Sequence, residues 1–274
     1  MIALLAAMSS CAPVASAPGG PPDSVAATVV VAPKVLVAAA GGLELHVVTW
    51  TAGPANGVAW LASVPRDGSL GIAPSADVRP LRELVGEPSP PWAAINGGFY
   101  EEGPMGLVVS SGVESHALAA NGGSGVVQFD SAGANIVHRD AWAPGATEAL
   151  QSIDRLVDGG ASLVHPRPDA HRDARSAVAI SDDRLWLVAA FAANNVTSGP
   201  DGIQLIRTVG EGMTLAEFAD FLVVALGAKQ ALNLDGAVST QMIVAMPTWR
   251  WVVRGERGTI NGVVITPPAA ALSQ

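Results

Sequence analysis

Cysteine, tyrosine and lysine are nearly absent from this 274-residue chain, which has one cysteine (Cys11), one tyrosine (Tyr100) and two lysines (Lys34 and Lys229). A single cysteine excludes an intrachain disulfide and a cysteine-rich metal site. With so little lysine, arginine supplies nearly all the fixed positive charge. Charged residues make up only 14% of the chain and the formal net charge is -9, so no basic face for nucleic acid is expected. The five histidines, His46, His116, His138, His165 and His171, form no H-E-x-x-H or other close ligand pair. Neither a G-x-S-x-G elbow nor a P-loop is present. No metal or cofactor is therefore expected; a divalent cation beside Asp235 would have to be held without EF-hand-like spacing. Long clean apolar runs are missing too: Val25 to Ala40 comes closest to a membrane span, but Pro33 and Lys34 interrupt it.

What is present is apolar and turn-rich. Hydrophobic residues reach 49%, with 30 glycines and 20 prolines. This balance excludes a disordered chain and points to many short strands. The N-terminus has its own order: an apolar run from Met1 to Met8, then Ser9-Ser10-Cys11, then a Pro/Ala/Gly/Ser tract from Ala12 to Ser24. That order resembles a bacterial lipoprotein leader with Cys11 as the lipidated residue, although no Lys or Arg precedes Lys34. Ala15-Ser16-Ala17 offers an ordinary secretory cleavage site instead. The expectation is an extracytoplasmic protein, secreted or anchored, touching a membrane only through a lipid on Cys11. Residues 1–11 read as the leader, 12–40 as a flexible linker with an early strand, and 41–270 as the folded domain.

Leu43 to Trp50 and Gly57 to Val64 read as strands around a turn-like A-G-P-A-N stretch, and Pro80 to Val85 as a short helix. Trp92 to Ile95, Leu107 to Ser110 and Val126 to Phe129 read as further strands. Ser176 to Ile180 and Leu185 to Phe191 flank Ser181-Asp182-Asp183-Arg184, a hairpin signal that makes the two aspartates turn formers. The clearest helix is Thr214 to Leu226, with capping-box spacing between Thr214 and Glu217 and Gly227 as its stop. The pattern predicts an α+β fold: a strand-rich single domain with a mixed sheet and few helices.

Two segments suit chemistry. In Ile95-Asn96-Gly97-Gly98-Phe99-Tyr100, an asparagine at a strand end precedes two glycines, so the backbone can approach a ligand closely. A simple Asn-Gly turn with buried aromatics would read the same way. In Leu232-Asn233-Leu234-Asp235-Gly236-Ala237-Val238-Ser239-Thr240, polar residues interrupt an apolar strand, and a carboxylate placed there needs a partner. An Asp-Gly turn with Asn233 bonding backbone is the structural alternative.

Taken together, and in order, several segments resemble the phosphodiester glycosidase family. Asn96 to Tyr100 is similar to its N-G-G-F-F segment, followed by Pro104-Met105-Gly106-Leu107, Gly159 to Val164, Arg175-Ser176-Ala177, Gly212-Met213-Thr214-Leu215, Ala231 to Ser239 and Glu256-Arg257. The resemblance spans about Trp92 to Ile265. One departure stands out: the family's three glycines after the aspartate are Gly236-Ala237-Val238 here.

The resemblance implies a hydrolase that cleaves a sugar-1-phosphate diester at the sugar carbon, with a glycan or sugar phosphate as substrate. Such a reaction needs positive charge at the phosphate and negative charge near the oxocarbenium-like carbon. Arg175 and Arg257 suit the phosphate, because a guanidinium fork binds it bidentately. Asp235 suits the sugar carbon as electrostatic partner, nucleophile or base, and Glu256 is a candidate acid/base partner. Asn96, Gly97, Gly98, Asn233, Gly236 and Ser239 complete the expected substrate-binding set. The alternative is a non-catalytic carbohydrate- or phosphate-binding surface lipoprotein of the same fold.

Overall fold

The structure, a computed structural model, describes residues 28–192, 196–198, 204–206 and 212–273. Cys11, the leader and the first part of the expected linker lie outside these residues. The chain builds three sheets. Strands β1 (Val29–Val31), β2 (Val35–Ala40), β3 (Leu43–Ala52) and β4 (Ala55–Pro65) start a nine-stranded sheet. Strand β5 (Ser69–Arg79), helix α1 (Leu81–Val85) and strand β6 (Trp92–Asn96) lead into a seven-stranded one. A five-stranded sheet follows without interruption: β7 (Val108–Ser110), β8 (Val113–His116), β9 (Gly125–Asp130), β10 (Gly133–His138) and β11 (Glu148–Ser152). The chain returns to the first sheet as β12 (Arg155–Asp158), β13 (Ala161–Ser162), β14 (Arg175–Ile180) and β15 (Arg184–Ala192). Strands β16 (Val196–Ser198) and β17 (Gln204–Ile206) join the second sheet, helix α2 (Leu215–Leu226) follows, and β18 (Gln230–Asn233) enters the first sheet beside β14. Strands β19 (Met242–Met246), β20 (Trp249–Arg254) and β21 (Thr259–Thr266) complete the second sheet. This is the strand-rich α+β architecture expected, and the pairing of β17 parallel to β20 makes the second sheet mixed.

The central strands β14, β15 and β18 of the nine-stranded sheet are buried on both faces. Along β15, Leu185, Leu187, Ala189 and Phe191 join the core shared with the other two sheets, while Trp186, Val188 and Ala190 join a second core under α2. Period-two alternation explains why this strand reads as an unbroken apolar run: each face has its own hydrophobic partner. Helix α2 fills the second core with Phe218, Phe221 and Leu222. Its ends are set locally. The Thr214 hydroxyl accepts from Glu217 N at 3.2 Å, and the Glu217 carboxylate accepts from Thr214 N at 2.9 Å. Gly227 stops the helix in the left-handed conformation (φ 62).

Within the segment read as a linker with an early strand, residues 29–31 and 35–40 are strands. Strands β1 and β2 both pair with β3, for instance Val31 with Trp50 and Ala40 with Leu43. The valine-rich segments V-V-V and V-L-V-A-A-A cover an edge that would otherwise expose unpaired backbone groups. Among the described residues, no helix is long and apolar enough to cross a membrane.

Candidate active site

The two chemically suggestive segments meet at one asparagine. Strand β6 runs between β19 and β21 and ends at Asn96. The Asn96 side chain is fully enclosed. Its Nδ2 donates to the Asp235 backbone carbonyl at 2.6 Å, and its Oδ1 accepts from Ser176 Oγ at 2.9 Å and Gln241 N at 3.0 Å. It thereby ties β6, β14 and the segment after β18 into one corner. Buried and bonded in this way, the Asn96 amide holds the corner together from within.

The next two glycines are also scaffolding. Gly97 N donates to Asn261 O at 2.8 Å, and Gly98 N donates to Asn261 Oδ1 at 2.7 Å. A Cβ on Gly97 would fall 1.9 Å from Asn261 Oδ1, and one on Gly98 would fall 2.8 Å from Gln151 O. The glycines are required by neighbouring chain, and their amides are spent on Asn261 rather than offered to a ligand. Asn261, Gln241 and Gln151 carry no sequence signal of this, because each acts through a residue distant in the chain.

Asp235 stands just beyond β18, with its N–H donating to Gly97 O at 3.0 Å. Burial pushes its carboxyl above the usual aspartate value; the Ser239 hydroxyl, the Gly236 amide and the Arg257 charge oppose that rise without cancelling it. Arg257 is placed by its neighbours: its N–H donates to Val238 O at 3.0 Å, and its carbonyl accepts from Gln241 Nε2 at 2.8 Å. Its guanidinium sits 4.6 Å from the centre of the Tyr100 ring, and the Tyr100 hydroxyl donates to Gly258 O at 2.8 Å. Burial raises the Tyr100 phenol, with Arg257 pulling it back and Asp235 adding to the rise. Asp235, Ser239, Arg257 and Tyr100 therefore form one electrostatic group. Gly236 belongs to it through its backbone, and a Cβ there would fall 2.8 Å from Ala174 O. Ala237, where the family has a glycine, takes φ 52, the left-handed conformation that glycine adopts most freely.

A second group gathers around Arg175. Its Nε donates to Met213 O at 2.8 Å and its Nη2 to His171 O at 2.7 Å. Two of its nitrogens are thus spent on fastening the approach to α2, whose Glu217 is gripped by the Arg172 fork at 2.8 and 2.5 Å. Burial lowers the Arg175 pKa, opposed by Asp173, Glu217 and Asp154. Asp154 has φ 66 and a carboxyl raised by burial, with Arg167 and Arg175 pulling it down. Its carbonyl accepts from Asn233 N at 3.0 Å. Asn233 is buried, and its Oδ1 has no partner among the described residues. Asp154 is the carboxylate that sequence reasoning missed; it stands in no recognisable motif.

Glu256 does not join either group. It is exposed in the turn between β20 and β21, while the adjacent Arg257 is drawn onto Tyr100. Among the described residues, no three His, Cys, Asp or Glu side chains cluster as cation ligands.

The family model for phosphodiester glycosidase matches residues 91–266, which contain every one of these groups. The chain belongs to the phosphodiester glycosidase family. Among solved structures, this phosphodiester glycosidase family member is similar to the catalytic domain of zebrafish N-acetylglucosamine-1-phosphodiester alpha-N-acetylglucosaminidase, auto-inhibited by its pro-peptide. The TM-score is 0.60 at 14% identity, covering 89% of each chain. It is also similar to a hypothetical protein from Synechocystis, with a TM-score of 0.54 at 17% identity, covering 86% of this chain and 64% of that one. At such identities the likeness speaks for the fold. No curated protein matches the chain in sequence.

Proposed function

We propose that the protein is an exported hydrolase that cleaves a sugar-1-phosphate diester at the sugar carbon, releasing the sugar and a phosphate monoester. The observation that carries this reading is the desolvated Asp235 carboxylate held beside the Arg257 guanidinium, in the family's motif positions. Water attacks the sugar carbon and gives its proton to Asp235, whose raised pKa makes it a better base. The carbon–oxygen bond breaks, and its electron pair leaves with the phosphate monoester. Arg257 binds the phosphate oxygens and offsets their charge, at a position fixed beforehand by Tyr100, the Val238 carbonyl and the Gln241 side-chain amide. The buried network around Asn96 keeps these groups from relaxing apart.

The name of the zebrafish relative makes an alpha-linked N-acetylglucosamine 1-phosphodiester the first substrate to test. Turnover of a chromogenic diester of this type by the wild type, and its loss in Asp235→Asn, is the expected result. A wild type that binds the diester without turning it over would establish the second reading, a non-catalytic binding protein. Val238 in place of a glycine favours that reading, because it narrows the approach to the loop.

A further inference from the structure

Arg257 also lines a depression of about 270 Å³ between helix α1 and strands β19 and β20. Its floor is apolar, built from Leu81, Ile243 and Val253, all buried. Its rim carries four arginines, Arg79, Arg82, Arg254 and Arg257, against one carboxylate, Glu256. Arg79 is paired with Asp77 at 3.2 Å, but Arg82 and Arg254 have no acidic partner among the described residues. Surplus positive charge over an apolar floor is notable in a chain of net charge -9. The depression is joined to the candidate site by Gln241, which lines it and donates to the Arg257 carbonyl at 2.8 Å.

Resting on the hydrolase reading, we propose that this depression is the leaving-group subsite, and that it selects an aglycone with a compact apolar body and an additional negative charge. The cleaved phosphate lies at Arg257, so the group beyond it enters the depression. Its volume falls just below the range of small-molecule pockets, about 300–1,000 Å³, which suits a short group rather than a polymer. Arg82 and Arg254 meet the second charge at the rim.

The test uses product analogues and does not depend on knowing the sugar. Calorimetry compares 4-carboxyphenyl phosphate with 4-methylphenyl phosphate on the full chain. The carboxylate compound is expected to bind about tenfold tighter at low salt, with the preference shrinking as salt rises. The double variant Arg82→Ala/Arg254→Ala removes the preference while keeping the melting temperature, since both side chains are exposed. Arg82→Glu alone reverses part of it. Asp235→Asn leaves the preference intact. Equal affinities in the wild type, or a preference that survives the double variant, would overturn the proposal. Lack of diester turnover with the preference present would instead defeat the hydrolase reading and leave the depression as a binding subsite for the charged aryl phosphate.

Discussion

The Asn96 side chain donates to the backbone carbonyl of Asp235, 139 residues away, at 2.6 Å. That bond makes the position of the candidate catalytic carboxylate depend on a fully buried amide in another sheet. Asn96→Ala should therefore act on the fold before it acts on the substrate. Three hydrogen bonds are lost and their partners are left unsatisfied in a buried site, a cost of about 3 kcal/mol. Chemical denaturation should show a lowered midpoint. A variant with normal stability and only a weakened KM would show that Asn96 touches substrate after all.

Asp235→Asn is expected to reduce turnover by roughly 10² to 10³ without reducing stability. The sign follows from linkage. Because the folded-state pKa of Asp235 is raised, its ionisation opposes folding above that pKa, and the penalty vanishes below the unfolded value. The variant should thus melt at or above the wild-type temperature at neutral pH, and this advantage should fade on acidification through the carboxylate range. Turnover by the wild type should fall in the same direction, as the base becomes protonated. Near-normal turnover in the variant would remove Asp235 from the mechanism.

Arg257→Lys keeps a positive charge but loses the planar fork and the guanidinium contact with the Tyr100 ring. Its kcat should drop about tenfold, and that of Arg257→Ala by about 10². Steady-state kinetics on a sugar-1-phosphate diester separates the two. Equal activities for lysine and arginine would mean that charge alone is used there.

Ala237→Gly should stabilise the protein by about 0.5–1 kcal/mol, because alanine at φ 52 is strained and glycine is not. Thermal melting reads this directly. A destabilised glycine variant would indicate that the alanine methyl is making contacts worth more than the strain.

Export predicts a new N-terminus in the native protein, at a lipidated Cys11 or after Ala17. Intact-mass measurement decides between these, and native protein that retains an unmodified Met1 would contradict both.

Local physics made much of the fold legible in the sequence. Thr214, Glu217 and Gly227 fix both ends of α2 through bonds within a few residues, so their spacing sufficed. The hairpin through Ser181 to Arg184 was legible for the same reason. Strands β1 and β2 were legible only as one early strand in a linker, because their pairing with β3 depends on an edge being available rather than on their own pattern. The motif order of Asn96, Arg175, Asp235 and Arg257 identified the segments that converge. It did not divide their labour. Only the tertiary structure turned Asn96 inward, spent two Arg175 nitrogens on backbone carbonyls, set Arg257 against Tyr100, left Glu256 in solvent and brought Asp154 beside Arg175. A residue's type and spacing determine which bonds it can make. Which of them it does make depends on burial and on partners brought close by sheets assembled from distant parts of the chain.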